Sequence, residues 1–571
     1  MTSTTPKETL LDLLRAVIGA LPGAETLTPD DLAAALVLEF PDRTEHGHVA
    51  CTAALRLARP LRQNPGDLAR KLGEILAASN HPGAVLVERS EVAGPGFLNI
   101  FLAPAFFHEV LQQAHRERAE YGRSSIGGGL AVNLEFCSSN PTGPLTVAHG
   151  RQAAVGDALA NLLQFAGYCP SREYYLNDCG NQVTVLARSV LARYAQVLGR
   201  EAPFPEEGYR GEYIVDLARQ FAELHGPKYL DAPEGEALEA ARSFALEKMV
   251  GVIRDDLEKF GVRYDTWFSE GAFRASGAVE RVLERLTAAG LTEERDGALW
   301  LLTTRLGDSQ DRVLVKSDGS YTYRTPDIAY HENKFQRGFK MLVDIFGPDH
   351  HQEAQEVAMA LRALGHDASA IRVLIAQYCT LYRGKEKLKM STRAGQFITL
   401  RELIDEVGRD AARFFFLNLR TSSHLNFDLE LAKKHSLDNP VYYIQYVSAR
   451  IASVLRKAQC ETALPPQEFR DGLFSPDCVD LAPLEARDLE LASWIFRFPH
   501  IIERAALSLE VHRLCNFMQS FAEQFHTWYT ECRVISDDVP LMRARLYLLS
   551  AARIVLWNGL RILGVAAPER M

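Results

Sequence analysis

The sequence lacks the features that mark several specialised classes of protein. Its nine cysteines form no CxxC pair, which argues against a zinc site, and scattered thiols are typical of a reducing compartment. No apolar run reaches the ~18 residues that a membrane-spanning helix requires. There is no internal repeat and no low-complexity segment. We therefore expect a cytoplasmic protein that does not associate with a membrane.

The first residues also lack the pattern of a secretory signal peptide. Asp12 and Arg15 interrupt the apolar stretch there, and Leu10, Leu14 and Val17 instead follow the spacing of an amphipathic helix. With 571 residues, 47% hydrophobic and 24% charged, the chain is long enough for several domains of ordinary globular composition.

The chain has no excess of positive charge. Its formal charge of −10 argues weakly against a nucleic-acid partner, but binding depends on local patches rather than on the sum. Between residues 431 and 460 the only acid is Asp438. The basic residues of that segment are Lys433, Lys434, Arg450, Arg456 and Lys457. This basic segment is compatible with an RNA partner, and nothing in the sequence indicates binding to DNA.

Hydrophobic periodicity and glycine- or proline-rich breaks divide the chain into three parts. Residues 1–126 are predicted to form a small α+β domain, with helices near 7–21 and 66–78 and strands near 83–92 and 97–102. The triplet Gly127-Gly128-Gly129 is typical of a hinge.

The remaining two parts differ in character. Residues 127–420 alternate strands and helices as a parallel sheet requires, with a charged helical insertion at about 185–280. Residues 421–571 are predicted to be all helical. Thr399-Leu400-Arg401-Glu402 has the pattern of a capping box, and Asp438-Asn439-Pro440 that of a helix start.

The stretch from Glu135 to Arg151 has the pattern of a nucleotide site. An apolar, β-rich run that ends at Phe136 leads into a loop of Ser, Asn, Pro, Thr and Gly, and a helical pattern starts at His149-Gly150. In open α/β sheets, the backbone N–H groups and the positive end of such a helix face phosphates. His149 adds a side-chain donor at the same place. We therefore expect an enzyme that binds a nucleotide here.

Two further loops carry groups suited to phosphate chemistry. Asp349-His350-His351 follows a second predicted strand, and the loop from Arg383 to Arg393 is dense in cations. Mobile cations opposite a helix N-terminus suit displacement at a nucleotide's α-phosphate, because charge that grows on the leaving phosphates meets donors placed in advance. The two histidines could also suggest a metal, but no third ligand lies at suitable spacing.

These motifs occur in the order found in one family. Thr146-Val147-Ala148-His149 resembles the HIGH-type motif, and Lys389-Met390-Ser391-Thr392-Arg393 the KMSKR-type loop, of class I aminoacyl-tRNA synthetases. Other segments resemble arginyl-tRNA synthetases within that class: residues 172–178, 325–331, 439–446 and 567–571. The resemblance covers essentially the whole chain. It implies an α/β fold with a Rossmann-type parallel-sheet catalytic domain, an N-terminal α+β domain that reads the tRNA D-loop, and a C-terminal all-α anticodon-binding domain.

The resemblance also implies the reaction and its participants. The carboxylate of L-arginine attacks the α-phosphate of ATP, which carries Mg2+, and the terminal adenosine of tRNA(Arg) then accepts the arginyl group. His149, Lys389 and Thr146 match catalytic positions. The positions that match ATP contacts are Ser138, Thr146, His149, Gly150, Gly347, His350, Lys389, Met390 and Ser391. We expect a monomer.

The guanidinium group of arginine calls for fixed carboxylates. A planar cation with five donors is best met by acids that accept two hydrogen bonds side by side. By the resemblance, the arginine contacts are Glu135, Asn140, Tyr323, Asp327 and Asp349. Lysine could not satisfy two such acids in fork geometry, so we expect the pocket to reject it without editing.

The tRNA contacts follow from the same resemblance. Phe97 and Asn99 match D-loop contacts. In the C-terminal domain, Tyr442, Tyr446 and Arg450 lie on one helical face, where they could stack unpaired bases and hold a phosphate. Aromatic residues at this spacing are also typical of a core. Trp528 and Arg533 are weaker candidates.

Two departures from the family motifs bear on catalysis. Thr146 stands where the HIGH-type motif has its first His, and Thr392 where the KMSKR-type loop has its second Lys. These changes motivate a second hypothesis, a non-catalytic tRNA- or arginine-binding paralogue. A third is a free-standing nucleotidylyltransferase, which would not need the C-terminal helical domain. The pocket acids and both RNA domains are all present, which favours an active ligase.

Overall fold

The structure of the protein, a computed structural model, describes residues 5–41, 44–348, 351–388 and 397–571. Its first part contains α1 Pro6–Gly19, α2 Pro29–Ala35, β1 Leu38–Glu39, β2 Val49–Cys51, α3 Ala53–Leu57, α4 Pro65–Ala77, β3 Val87–Ala93, β4 Phe97–Leu102 and α5 Pro104–Glu117. The strands form one antiparallel sheet in the order β1-β2-β4-β3. The predicted α+β character of this part is confirmed.

The middle of the chain is built on a parallel sheet. The strands in this part of the chain are β5 Ala131–Phe136, β6 Cys169–Leu176, β7 Thr266–Ser269, β8 Thr292–Arg295, β9 Ala298–Leu301, β10 Arg312–Val315, β11 Met341–Phe346, β12 Ile371–Ile375, β13 Cys379–Arg383, β14 Glu386–Lys387 and β15 Leu425–Asp428. Five of them form the central sheet in the order β12-β11-β5-β6-β7, all parallel. The strand order reverses between β5 and β11, as in doubly wound nucleotide-binding folds.

Helices cover this sheet and form the insertion. They are α6 Val147–Phe165, α7 Asn181–Val197, α8 Glu212–His225, α9 Glu234–Lys259, α10 Glu270–Ala275, α11 Ala278–Ala288, α12 Arg324–Gln336, α13 His351–Ala363, α14 Leu400–Val407, α15 Arg409–Leu417 and α16 Leu429–Lys433. The insertion consists of α7 to α9. Its predicted end near residue 280 was wrong, because β7 pairs with β6 in the central sheet. A strand of only four residues beside charged helices gives too little alternation to be recognised.

Close packing of α6 on β5 sets the position of the nucleotide loop between them. A Cβ at Gly156 would lie 2.1 Å from Cγ of Phe136, so only glycine allows the helix this close to the strand. The predicted capping box at α14 is confirmed, because the Thr399 hydroxyl accepts from the Glu402 N–H at 3.1 Å and Glu402 accepts from the Thr399 N–H at 2.7 Å.

From Pro440 onward the chain is helical apart from one short hairpin. This part contains α17 Pro440–Glu461, β16 Phe469–Arg470, β17 Leu473–Phe474, α18 Ala486–Ser508, α19 His512–Glu531 and α20 Val539–Leu563. The predicted start of the all-helical part at residue 421 was wrong, because β15 lies within it and pairs with β13. Asn439 caps α17 and Pro440 is its first residue, as predicted. Among the described residues, α20 alone is long and apolar enough to span a membrane by length and composition, yet 89% of its apolar window is buried in the fold.

Candidate active site

A cavity of about 590 Å³ opens at the carboxyl ends of β5, β6 and β11. The strand order reverses at this edge, which is where open α/β sheets bind their ligands. Seven of the residues predicted from the sequence line it: Glu135, Ser138, Asn140, His149, Tyr323, Asp327 and Gly347. Residues more than two hundred positions apart along the chain therefore meet in one place.

His149 lies in the first turn of α6 with one ring nitrogen already occupied. The backbone N–H of Thr146 donates to Nδ1 at 3.1 Å, and the Thr146 hydroxyl oxygen lies 3.3 Å from the same atom. Burial lowers the pKa of His149 to about 4, so the ring is neutral at pH 7. Because Nδ1 accepts, the single ring proton is on Nε2. His149 thus offers the cavity a neutral N–H donor rather than a charge.

Thr146 and Gly150, both predicted ATP contacts, lie beside the cavity and hold α6 against α14. Thr146 forms a β-bridge with Thr399, and the N–H of Leu400 donates to the carbonyl of Leu145 at 2.7 Å. A Cβ at Gly150 would lie 2.6 Å from Cδ1 of Leu400. The start of α14 is therefore fixed against the start of α6.

Five predicted site residues lie outside the described residues: Asp349, His350, Lys389, Met390 and Ser391. The residues on either side of the cation-rich segment are described. The N–H of Leu388 donates to the carbonyl of Leu381 at 3.0 Å, and Thr399 pairs with Thr146. The described residues on either side of that segment therefore lie at the hairpin of β13 and β14 and beside the nucleotide loop.

The two predicted guanidinium acceptors both reach the cavity. Glu135, at the end of β5, is 4% exposed, and its Oε2 accepts a hydrogen bond from Nζ of Lys334 at 2.7 Å. Asp327 is half-buried in the first turn of α12. Tyr323 precedes that helix and is 82% exposed. Glu135 therefore has one oxygen occupied by a cation of the protein itself.

Several cavity residues were missed by the sequence analysis: Tyr175, Asn177, Gln182, Glu270 and Arg274. Glu270 follows β7 directly, is 5% exposed and forms an ion pair with Arg274. It was missed because its strand was taken for part of the helical insertion. The apolar run Trp267-Phe268 followed by an acid was the available signal.

Comparison with known proteins identifies the family. Three family models match: the arginyl tRNA synthetase N-terminal domain at residues 9–102, the class I (R) tRNA synthetase catalytic domain at 113–421, and the DALR anticodon-binding domain at 444–571. A curated arginine–tRNA ligase of Syntrophotalea carbinolica is 44% identical over 94% of this chain and 94% of its own length. One of Moorella thermoacetica is 46% identical over 94% of each.

The chain belongs to the arginyl-tRNA synthetase family.

A solved structure shares the fold of this arginyl-tRNA synthetase family member. The arginyl-tRNA synthetase of Thermus thermophilus superimposes with a TM-score of 0.76 at 20% identity, covering 99% of this chain and 100% of that one. The resemblance drawn from the motifs, and the α/β fold with N-terminal α+β and C-terminal helical parts, are therefore confirmed.

In this synthetase, the two predicted D-loop contacts lie on β4. Phe97 is half-buried, whereas Asn99 is only 7% exposed and is paired in register with Ala50 and Glu91 on the two neighbouring strands. Asn99 therefore offers little surface to an RNA in this conformation, and its role stays a prediction.

The predicted aromatic stripe on α17 is part of a larger stack at the surface of the synthetase. The rings of Tyr442 and Tyr446 are stacked with centroids 6.4 Å apart, and His526 stacks on Tyr446 at 5.8 Å. The Arg450 guanidinium lies 5.1 Å from the Tyr446 centroid and 5.2 Å from that of Tyr529. These aromatic rings are half-buried rather than part of the core, so their surface is compatible with RNA contact, which stays a prediction.

Trp528, named as a weaker RNA contact, is a core residue. It is 3% exposed, and its Nε1 donates to Asp488 at 2.8 Å. That candidate was wrong because helical spacing does not show which face of α19 is covered.

Proposed function

We propose that the chain is an active arginine–tRNA ligase that works in two steps. An oxygen of the arginine carboxylate bonds to the α-phosphorus of ATP, while the bond to the bridging oxygen breaks and pyrophosphate leaves. A ribose hydroxyl of the terminal adenosine of tRNA(Arg) then attacks the carbonyl carbon of arginyl-adenylate, loses its proton and displaces AMP. The observation that carries the proposal is the cavity, which gathers a neutral histidine donor and buried acids where the strand order reverses.

His149 supports the first step as a hydrogen-bond donor. A donor fixed in advance stabilises the charge that grows on the phosphates without reorganisation in the transition state. Thr146 acts through His149, because its N–H fixes Nδ1 as the acceptor. The departure at Thr146 therefore leaves the cavity with its histidine donor in place.

The other ATP contacts surround this donor. Ser138 and Gly347 line the cavity. We assign further contacts to Gly150, His350, Met390 and Ser391, and we assign Lys389 to the leaving pyrophosphate. Mg2+ enters with ATP as part of the substrate.

Arginine recognition rests on carboxylates in the same cavity. Glu135 and Asp327 accept from the guanidinium group, and Glu270 adds a third acid from the end of β7. Tyr323 packs beside them, while Asn140 and Asp349 bind the α-amino end. A flexible ammonium cannot satisfy several fixed acids at once, so lysine is rejected at binding.

Both outer parts of the chain contact tRNA(Arg) in this proposal. Phe97 and Asn99 bind the D-loop. The anticodon is bound by Tyr442, Tyr446 and Arg450. The half-buried stack on α17 supports the second assignment, because exposed ring faces are what unpaired bases bind. The enzyme acts as a monomer in the cytoplasm, without DNA or membrane partners.

The test is ATP–pyrophosphate exchange with arginine or lysine, with and without cognate tRNA. We expect exchange with arginine only, and only when tRNA is bound. Asp327→Asn should abolish exchange while tRNA binding is retained. Absence of exchange under every condition, with tRNA still bound, would show that the chain is the non-catalytic paralogue instead.

A further inference from the structure

Three buried carboxylates lie side by side across the central sheet. Asp344 on β11, Glu135 on β5 and Glu173 on β6 are neighbours in register. They are 0%, 4% and 0% exposed, respectively. A buried carboxylate is costly unless a cation and hydrogen bonds meet it, so such a row needs matched partners. Helix α12 and Arg337, which follows it directly, supply them.

Lys334 of α12 joins two of these carboxylates. Its Nζ donates to Glu135 Oε2 and to Asp344 Oδ1, both at 2.7 Å, and the side chain is fully buried. Burial opposes the charge, but Asp344 and Glu135 outweigh it and raise the pKa of Lys334 well above its usual range. Lys334 does not line the cavity, so it acts on a substrate only through its partners.

His331 connects the same Asp344 to the other pocket acid. Its Nε2 lies 3.1 Å from Asp344 Oδ2, and its Nδ1 lies 2.8 Å from the carbonyl oxygen of Asp327. A carbonyl oxygen and an ionised carboxylate only accept hydrogen bonds, so both ring nitrogens carry protons and His331 is an imidazolium. Asp344 is thus tied to Glu135 through one cation and to the backbone of Asp327 through another.

We infer that Lys334, Asp344 and His331 form a strut that positions Glu135 and Asp327 for arginine recognition. Fork geometry tolerates little displacement, so two acceptors on different elements must be held at a fixed separation. The strut and Glu135 together comprise two carboxylates and two cations, so their charges cancel. Glu135 therefore orients the guanidinium group of arginine through hydrogen bonds rather than attracting it by an excess of negative charge. The inference rests on the proposed function. Lys334 is a positioning residue because it does not line the cavity, whereas His331 and Asp344 also line the cavity.

Glu173 provides a matched control within the same row. It accepts from Nη1 and Nη2 of Arg337 at 2.5 and 2.8 Å and from the Tyr330 hydroxyl at 2.6 Å. It is therefore as buried and as well paired as Asp344. Unlike Asp344, it does not line the cavity. Loss of Glu173 should cost stability without moving the pocket acids.

The experiment measures arginylation kinetics of purified Lys334→Met and Glu173→Gln. For Lys334→Met we expect the KM for arginine to rise about tenfold, while the KM for ATP and the Kd for tRNA change less than about twofold. Glu173→Gln should lower the Tm and leave the KM for arginine unchanged. Equal changes in both variants, or no change in Lys334→Met, would overturn the inference.

Two further variants keep the test decisive if Lys334→Met does not fold. Asp344→Asn keeps the side-chain shape and should also raise the KM for arginine selectively. The double variant Lys334→Met/Asp344→Asn restores charge balance without the strut, so its KM should stay raised. A return to the wild-type KM would show that charge balance, not positioning, is what matters. A wild-type enzyme that fails to arginylate tRNA would overturn the proposed function instead.

Discussion

Tyr213 of the helical insertion donates a hydrogen bond from its hydroxyl to the backbone carbonyl of Thr142, at 2.8 Å. Thr142 belongs to the loop between β5 and α6. A Cβ at Gly143, the next residue, would lie 3.1 Å from the same hydroxyl oxygen. The insertion therefore contacts the nucleotide loop directly, and not only through the sheet.

Removing this hydroxyl should slow catalysis and also destabilise the fold by a similar free energy. We expect Tyr213→Phe to lower kcat about fivefold, because the loop loses one fixed carbonyl, and to lower the free energy of unfolding by about 1 kcal/mol. Steady-state arginylation and urea unfolding check both values. Tyr209→Phe is the control, since Tyr209 is a half-buried ring of the same insertion. Equal loss of activity in the two variants would assign the effect to the insertion as a whole.

His149 should matter for its donor rather than for a charge. We expect His149→Ala to slow adenylate formation about 100-fold, because one preorganised donor to the phosphates is lost. His149→Gln should recover part of the rate, since its amide can donate to a phosphate while its oxygen accepts from the Thr146 N–H. Single-turnover rates at saturating tRNA measure this. A glutamine variant as slow as the alanine variant would contradict the donor role.

Local sequence patterns correctly predicted the helices and strands whose ends carry capping or turn-forming residues. Thr399 with Glu402, and Asn439 with Pro440, marked two helix starts correctly because capping depends on residues within one turn. The strand before the nucleotide loop was equally clear, since its apolar run ends in a cluster of turn formers. In contrast, β7 was hidden by its length of four residues.

Contacts between distant residues could not be predicted in the same way. The sequence pattern around Lys334 is typical of a surface lysine in a polar helix. Lys334 is nevertheless fully buried, because Glu135, 199 positions away, lies against it. Glu270 was not predicted as a site residue because β7, which precedes it, was not recognised as a strand. Trp528 and Asn99 were named as candidate RNA contacts, whereas the tertiary fold buries both.

His115 joins the first and last parts of the chain through α5 and α20. Its ring stacks on Tyr547 with centroids 3.5 Å apart, and its Nε2 donates to the Tyr547 carbonyl at 2.9 Å. Burial lowers the pKa of His115 from 6.5 to about 4. Between these values the unfolded chain binds a proton that the folded protein does not. Stability should therefore be lost as the pH falls from about 6.5 to about 4.

Replacing His115 should weaken this pH dependence. We expect His115→Gln to be less stable than the wild type at pH 7, because the stack is lost, but to lose less further stability at pH 5. Urea midpoints at both pH values give the comparison. His46→Gln is the control, because the His46 side chain is 60% exposed. An unchanged difference between the two midpoints in His115→Gln would assign the acid sensitivity to other groups.

The stack on α17 should bind tRNA by two physically distinct contributions. Tyr446 lies in the stack between Tyr442 and His526, and burial lowers the pKa of His526, so the His526 ring is neutral at pH 7. We expect Tyr446→Leu to weaken tRNA binding about tenfold, because stacking of one unpaired base contributes about 1–3 kcal/mol. This loss should persist at high salt, since no charge is removed.

Arg450 should behave differently under the same conditions. Its guanidinium lies between two rings and is exposed to solvent, where it can neutralise a phosphate. The loss in Arg450→Gln should be large at low salt and shrink as salt rises, because counterion release drives that contribution. Filter binding of tRNA(Arg) across a salt series separates the two effects, with Lys457→Ala as a control for a charge elsewhere on α17. Parallel salt slopes for wild type and Arg450→Gln, together with wild-type affinity in Tyr446→Leu, would show that tRNA binds another face of the helical domain.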